Sequence, residues 1–281
     1  MSRIHIKHIT GYRYEEPAKA SYNEARMLPV STDGQFVIYS DLTIEPNTSV
    51  NQYDDYWGTR VTSFDVLSPH TELHLTAESL VEVRPRIPSG HDISWEQLGR
   101  VTQRSIHYVE HLAQTPRTQP TDDLVALAQE IAAESETPGI AAAAIARRVG
   151  EQVEYMSGVT HVHTLAREAW ANRKGVCQDI AHITIGALRA VGIPARYVSG
   201  YLHPRPNAEI GETITGESHA WVEWFAGDWF AWDPTNLIDI GERHVKIGYG
   251  RDYNDIPPLR GVFAASGKST LFVKVEITRE S

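Results

Sequence analysis

Hydrophobic and polar residues alternate along the first third of the chain, from Ile4 to about Val83. A period of two is typical of strands that bury one face. The alternation is interrupted by four turn-forming groups, at 31–34, 45–47, 57–58 and 68–69. These spacings favour a small sandwich. We therefore expect an N-terminal antiparallel β-sandwich.

The segment 84–90 contains two prolines and a glycine, which end strand pairing and mark a boundary. We accordingly divide the chain into a β-sandwich domain, 1–88, and a second domain, 89–281.

In the second domain, the hydrophobic residues recur at the spacing of helices. Helices are predicted after the capping residue Thr121, from Pro138, over 165–173, and from Cys177 to a stop at Gly192. Strands are then predicted at 195–201, 218–225, 229–233 and, near the C-terminus, 271–277. The second domain is thus expected to be an α+β core, with helices packed on an antiparallel sheet. A polar loop, 203–216, is expected to overhang its cleft.

The composition and net charge of the chain argue against some classes of partner. The chain has 281 residues, 41 % of them hydrophobic, and a formal net charge of −10. The negative charge argues against a nucleic-acid partner. Neither a signal-peptide pattern nor an apolar run long enough to span a membrane is present, so we expect no membrane partner and a cytoplasmic location. The sequence leaves the oligomeric state open.

The single cysteine, Cys177, falls on the first turn of a predicted helix and follows a glycine. Unpaired N–H groups and the positive end of the helix dipole stabilise a thiolate at such a position. A lone cysteine is otherwise a small buried hydrophobe. The position therefore makes Cys177 a candidate nucleophile.

A cysteine nucleophile needs a base that is held by a third group. The predicted strands 218–225 and 229–233 form a hairpin around three turn residues, which places Trp221 opposite Asp233 and His219 one diagonal step away on the same face. A two-residue turn would move Asp233 to the other face. Alternation also places Trp221 and Trp229 on the triad face, where they could shield the thiolate or contact an acyl substrate.

Three segments, "GVCQDIAH", "SHAWVEWF" and "WDPTN", closely resemble the core of the transglutaminase-like superfamily, a papain-related fold with a Cys-His-Asp triad. The first part of the chain, with "YRYEEPA" and "ARMLPV", resembles the β-rich N-terminal region of bacterial members described as candidate cysteine proteases. The resemblance implies that Cys177 is the nucleophile, His219 the general base and then acid, and Asp233 the group that orients the imidazole. Thr59 departs from the asparagine expected in the N-terminal region.

Other residues are assigned lesser roles. Tyr155 is the candidate for a second oxyanion donor beside the backbone N–H of Cys177, and Asn236 is expected to support the loop after Asp233. Asp179 is expected to cap the helix. Two histidines in "HVH", 161–163, lack the further ligands of a metal site, so we expect neither metal nor cofactor.

The expected reaction is acyl transfer from an amide bond through a Cys177 thioester. Water as acceptor makes the protein a cysteine peptidase or amidase, which we favour, and a primary amine makes it a transglutaminase. The expected partner is a peptide or protein amide substrate. An alternative of another class is a binding module that keeps the fold without catalysis.

Overall fold

The computed structural model describes residues 1–84, 86, 88 and 92–281. Its strands, in chain order, are β1 (Ser2–Ala18), β2 (Ser21–Ala25), β3 (Gln35–Glu45), β4 (Val50–Asp54), β5 (Arg60–Val66), β6 (His70–Val83), β7 (Glu154–Tyr155), β8 (Lys174–Gly175), β9 (Ala195–Leu202), β10 (Thr213–Gly216), β11 (Ser218–Phe225), β12 (Trp229–Asp233), β13 (Ile238–Asp239), β14 (His244–Gly250), β15 (Leu259–Phe263) and β16 (Ser269–Arg279). Its α-helices are α1 (Trp95–Arg104), α2 (Val109–Leu112), α3 (Asp122–Glu134), α4 (Pro138–Gln152), α5 (Ala166–Asn172) and α6 (Cys177–Ala190).

The predicted β-sandwich is confirmed. A five-stranded antiparallel sheet, in the order β10-β16-β1-β6-β3, packs on a four-stranded sheet in the order β15-β2-β5-β4. Alternate residues of β6, namely Leu73, Leu75 and Ala77, are buried between the two sheets with Phe64 and Met27. Their burial explains the period of two in the sequence, since one face of each strand meets the core.

The last strands of the chain complete the sandwich, which the sequence did not indicate. The strand expected at 271–277 lies within β16, but it pairs with β1, where Ile277 is opposite Ile6. β15 likewise pairs with β2, and β10 with β16. The sheets therefore do not follow the predicted division at residue 88, because strand pairing joins the two ends of the chain.

The structure also bears on two other expectations, those for the boundary segment 84–90 and for the loop 203–216. Of the predicted boundary segment 84–90, residues Pro85, Ile87, Ser89 and Gly90 lie outside the described residues. The polar loop 203–216 contains β10 at its C-terminal end, so this part belongs to the sandwich, and the overhang expected of the loop stays a prediction.

The predicted α+β core is confirmed as well. Its antiparallel sheet has the order β13-β12-β11-β9-β14. Helix α6 is buried along its length and packs on β11, whose Ala220, Val222 and Trp224 join its apolar core. Helices α3, α4 and α5 pack around α6. β7 and β8 form a two-stranded parallel pair, and β8 lies just before α6 in the chain.

Within the described residues, the helices all fall short of the length and apolarity that a membrane crossing needs. The cytoplasmic location stays a prediction.

Candidate active site

The first residue of α6 is Cys177, and the local sequence fixes that start. The carboxylate of Asp179 accepts a hydrogen bond from the backbone N–H of Val176 at 2.9 Å and one from the hydroxyl of Thr160 at 2.7 Å. A Cβ on Gly175 would lie 2.7 Å from the side chain of Asp179, so glycine there makes room for the cap. The predicted capping role of Asp179 is confirmed, and the half-buried Cys177 thiol sits at the helix N-terminus.

The hairpin of β11 and β12 has the predicted register. Phe225 pairs with Trp229 across three turn residues, and Val222 pairs with Trp232. The next position places Asp233 diagonally opposite His219, and Nε2 of His219 donates to Oδ2 of Asp233 at 2.7 Å. The sheet therefore holds imidazole and carboxylate together.

Asp233 is fully buried and fully hydrogen-bonded. Its Oδ1 accepts from the backbone N–H groups of Thr235 at 3.0 Å and Asn236 at 3.2 Å, and its Oδ2 accepts from the side-chain amide of Asn236 at 2.8 Å. Burial by itself raises the pKa of Asp233, but the hydrogen bonds from His219, His244 and Asn236 and the charge of His219 hold it well below its usual range. Asn236 contacts the carboxylate of Asp233 directly, as the expected supporting role requires.

A second histidine, His244, contacts the same carboxylate. Its Nδ1 accepts the backbone N–H of Gly241 at 3.2 Å, and burial lowers its pKa, so the neutral ring carries its proton on Nε2. That Nε2 donates to Oδ2 of Asp233 at 3.4 Å. Sequence reasoning missed His244, because only the pairing of β14 with β9 brings it to the site, and no local motif signals that pairing.

His219 links the carboxylate to the thiol. Since Nε2 is bonded to Asp233, Nδ1 is the ring nitrogen left for Cys177. Burial disfavours the charged ring, but the hydrogen bonds to Asp233 and Cys177, with the negative charges of both, outweigh it and raise the pKa of His219 to about 10. The ring is thus suited to hold a proton beside a thiolate.

Two tyrosines lie near the thiol. Tyr155 on β7 pairs with Gly175 on β8 and is half exposed. Burial raises its pKa, and the negative charge of Cys177 raises it further. Burial and then the charge of Cys177 also raise the pKa of Tyr197, which is buried on β9 and which the sequence analysis did not single out. The oxyanion role of Tyr155 stays a prediction.

The two tryptophans predicted for the substrate cleft differ in burial, since Trp221 is buried and Trp229 is partly exposed. Trp221 is only 1 % exposed. Its ring centroid lies 5.4 Å from that of His244 and 6.2 Å from that of His219, so it packs against both histidines. Trp229 stacks on Arg196 and contacts His111. The role of both residues in a substrate cleft stays a prediction.

Three side chains of the site have the ligand types that metal ions use. His219, Asp233 and His244 have ligand atoms within 4.8 Å of one another, and in the described part of the chain they are the one such group of histidine, cysteine and acidic residues. The hydrogen bonds between them account for this closeness, so the grouping needs no ion to explain it.

Comparisons with known proteins agree with the fold and the motifs. Residues 4–82 match the bacterial transglutaminase-like N-terminal region, and residues 125–234 match the transglutaminase-like superfamily. An uncharacterized protein of Mycobacterium leprae is 43 % identical over 279 residues, 99 % of each chain. A protein-glutamine gamma-glutamyltransferase of Pseudomonas aeruginosa is 35 % identical over 101 residues, which are 31 % of this chain and 15 % of that protein. The chain belongs to the transglutaminase-like superfamily and carries its bacterial N-terminal region.

A solved structure shows the same fold over the whole chain. It is a candidate cysteine protease from Cytophaga hutchinsonii, with a TM-score of 0.78 and 23 % sequence identity, covering 100 % of this chain and 91 % of that one.

Proposed function

We propose that this protein is a cysteine-dependent acyl-transfer enzyme that hydrolyses amide bonds, as a peptidase or amidase. One observation carries the proposal: His219 donates to the buried carboxylate of Asp233 at 2.7 Å, and its pKa is raised both by that carboxylate and by Cys177, the first residue of α6. A thiol, a base and a group that orients the base are the parts of a nucleophilic triad.

The first step forms the acyl-enzyme. The Cys177 thiolate attacks the carbonyl carbon of the amide, and the carbonyl oxygen takes the negative charge. The N–H groups of the first turn of α6 have no carbonyl partner within the helix, so that of Cys177 can donate to this oxygen. Tyr155 is proposed as the second donor. His219 gives its proton to the departing amine as the C–N bond breaks, which leaves a thioester and a neutral imidazole.

The second step releases the acid. Neutral His219 takes a proton from a water molecule, which attacks the thioester carbon, and the C–S bond breaks to return the thiolate. The proton stays on His219, so the ion pair is restored. Asp233 stabilises the charged imidazole in both steps and holds the ring so that Nδ1 faces the sulfur.

Transfer to a primary amine is the second candidate function. It is favoured by the similarity over 101 residues to the protein-glutamine gamma-glutamyltransferase of Pseudomonas aeruginosa. The same acyl-enzyme serves both reactions, and the acceptor decides between them. Hydrolysis comes first because water is always available, whereas transfer to an amine requires the exclusion of water.

The proposed substrate is a peptide or a protein amide. The alternative of a non-catalytic module is less favoured, because burying the ionised Asp233 beside two histidines is costly for a scaffold that makes no use of it.

The test is a reaction with casein, in the presence and absence of the fluorescent amine dansylcadaverine. Release of peptides or ammonia by the wild type supports hydrolysis, and incorporation of the amine supports transfer. Cys177→Ala is the matched control, because it removes only the sulfur. If the folded wild type gives no more product than Cys177→Ala with casein and a peptide library, the proposal is wrong.

A further inference from the structure

A cavity of about 630 Å³ lies between the sandwich and the outer face of the core sheet. Trp221 and His244 form its wall on the side of the triad, while among the described residues neither Cys177 nor Asp233 lines it. The cavity is therefore separate from the reacting atoms. Its size is within the range of roughly 300–1,000 Å³ that small-molecule sites occupy.

Three side chains on the cavity wall, Arg196, Glu223 and Lys246, together carry a net positive charge. The carboxylate of Glu223 accepts from Arg196 at 2.6 Å through one oxygen and from Lys246 at 2.7 Å through the other. One carboxylate thus pairs with two cations. All three side chains are largely buried: Arg196 is 13 % exposed, Glu223 10 % and Lys246 23 %. Burial, only partly offset by Glu223, lowers the pKa of Lys246 to about 8. One more negative charge would neutralise the group of Arg196, Glu223 and Lys246.

The other charged residues on the wall do not supply that charge. Arg84 pairs with Glu82, and Arg86 pairs with Asp228 and with Asp33, whose side chain is 87 % exposed and therefore screened by water. The remaining anion, Asp239, is exposed, where water screens its charge.

Flat aromatic surfaces stand beside the cations. The guanidinium of Arg196 lies between two rings, 3.9 Å from the centroid of Trp229 and 3.8 Å from that of Tyr249. Trp57 lines the same cavity. The stacking fixes Arg196 in place before any ligand arrives, which lowers the entropic cost of binding.

We propose that this cavity is a binding site for a small organic anion. The anionic group pairs with Lys246 and Arg196, and an aromatic body packs against Trp57, Trp229 and Tyr249. The site does not depend on the chemistry proposed for Cys177.

The test uses the fluorescent probe 1-anilinonaphthalene-8-sulfonate, an anion with an aromatic body, and N-phenyl-1-naphthylamine, which lacks the sulfonate. Titrations are made at about pH 6, where a Lys246 of pKa about 8 is protonated. We expect Lys246→Met to weaken binding of the anion by about fivefold, the effect of losing one charged partner. Glu223→Gln removes the competing carboxylate and is expected to tighten binding by a similar factor.

The control is Lys274→Met on β16, whose exposed side chain pairs with Glu276. It is expected to leave both affinities unchanged. Far-ultraviolet circular dichroism establishes that each variant is folded, and either cavity variant alone suffices if the other does not fold. The proposal is overturned if the anion does not bind, if the neutral probe binds as tightly as the anion, or if folded cavity variants bind like Lys274→Met.

Discussion

The imidazole of His244 lies 3.4 Å from the carboxylate of Asp233, although His244 is on the edge strand β14 and Asp233 is in the hairpin with His219, two strands further across the core sheet. Because Gly241 fixes the tautomer of His244, its Nε2–H faces the carboxylate permanently. Asp233 therefore has a donor that stays in place when His219 changes its protonation state. This arrangement assigns His244 the role of a positioning residue.

The donor of His244 can be removed and restored. The amide of asparagine cannot reach the position of Nε2, whereas that of glutamine can. We expect His244→Asn to lower kcat by about fivefold, as for the loss of about 1 kcal/mol of hydrogen bonding, with KM unchanged, and His244→Gln to recover most of the rate. Equal kcat values for His244→Asn and His244→Gln, when both variants are equally stable, would contradict this role.

The protonation of His219 can be measured directly. NMR titration of 13C-labelled histidines, assigned with His219→Ala, should give a pKa near 10, above the usual 6.5. Asp233→Asn should lower it, because the carboxylate favours the imidazolium. A value of 6.5 or below in the wild type would contradict the ion pair.

The same shift predicts how stability changes with pH. Because the pKa of His219 is higher in the folded than in the unfolded protein, protonated His219 stabilises the fold. This stabilisation is complete below about pH 6.5 and is lost as the pH rises through about 10. The free energy of unfolding of Asp233→Asn, measured with urea, should therefore approach that of the wild type towards high pH.

Gly200 is opposite His219 in the register of β9 and β11, and the ring of Trp221 fills the space above it. A Cβ there would lie 2.2 Å from the carbonyl oxygen of Val245 and 2.6 Å from the ring of Trp221. Gly200→Ala is expected to cost about 1–3 kcal/mol through overpacking and to slow alkylation of Cys177. Gly216→Ala, with no neighbour within 4 Å, is the control. Equal melting temperatures for the two variants would contradict this packing account.

Much of the site could be predicted from local sequence. The start of α6 is set by Gly175 and Asp179, and a three-residue turn fixes the register that joins His219 to Asp233. Both signals lie within a few residues of the groups they position, so pattern and turn length are sufficient.

The remaining features depend on pairing between distant strands. β14 reaches β9, and β16 returns to β1 from the other end of the chain. Alternation predicts that these strands exist but not which edge they join. For this reason the place of His244 beside Asp233 and the three sandwich strands from the C-terminal part of the chain, β10, β15 and β16, could not be predicted.

The buried carboxylate of Glu223 predicts sensitivity to acid. Burial raises its pKa, but Lys246 and Arg196 outweigh this effect and lower it to about 2 from 4.5. The ionised carboxylate therefore contributes about 3 kcal/mol to the free energy of unfolding. This contribution is present above about pH 4.5 and is lost as the pH falls through about 2. The difference in unfolding free energy between wild type and Glu223→Gln, measured by urea titration, should shrink over this range. A difference that is constant with pH would show that the carboxylate is not ion-paired.

The pairing of Cys177 with His219 is tested most directly by the pH dependence of iodoacetamide alkylation, read by intact mass. The single cysteine makes the product unambiguous. We predict rapid labelling well below the pH of about 8.5 at which an ordinary thiol ionises, and slower labelling in His219→Ala. Slow labelling that the mutation leaves unchanged would make Cys177 a packing residue and contradict the proposed mechanism.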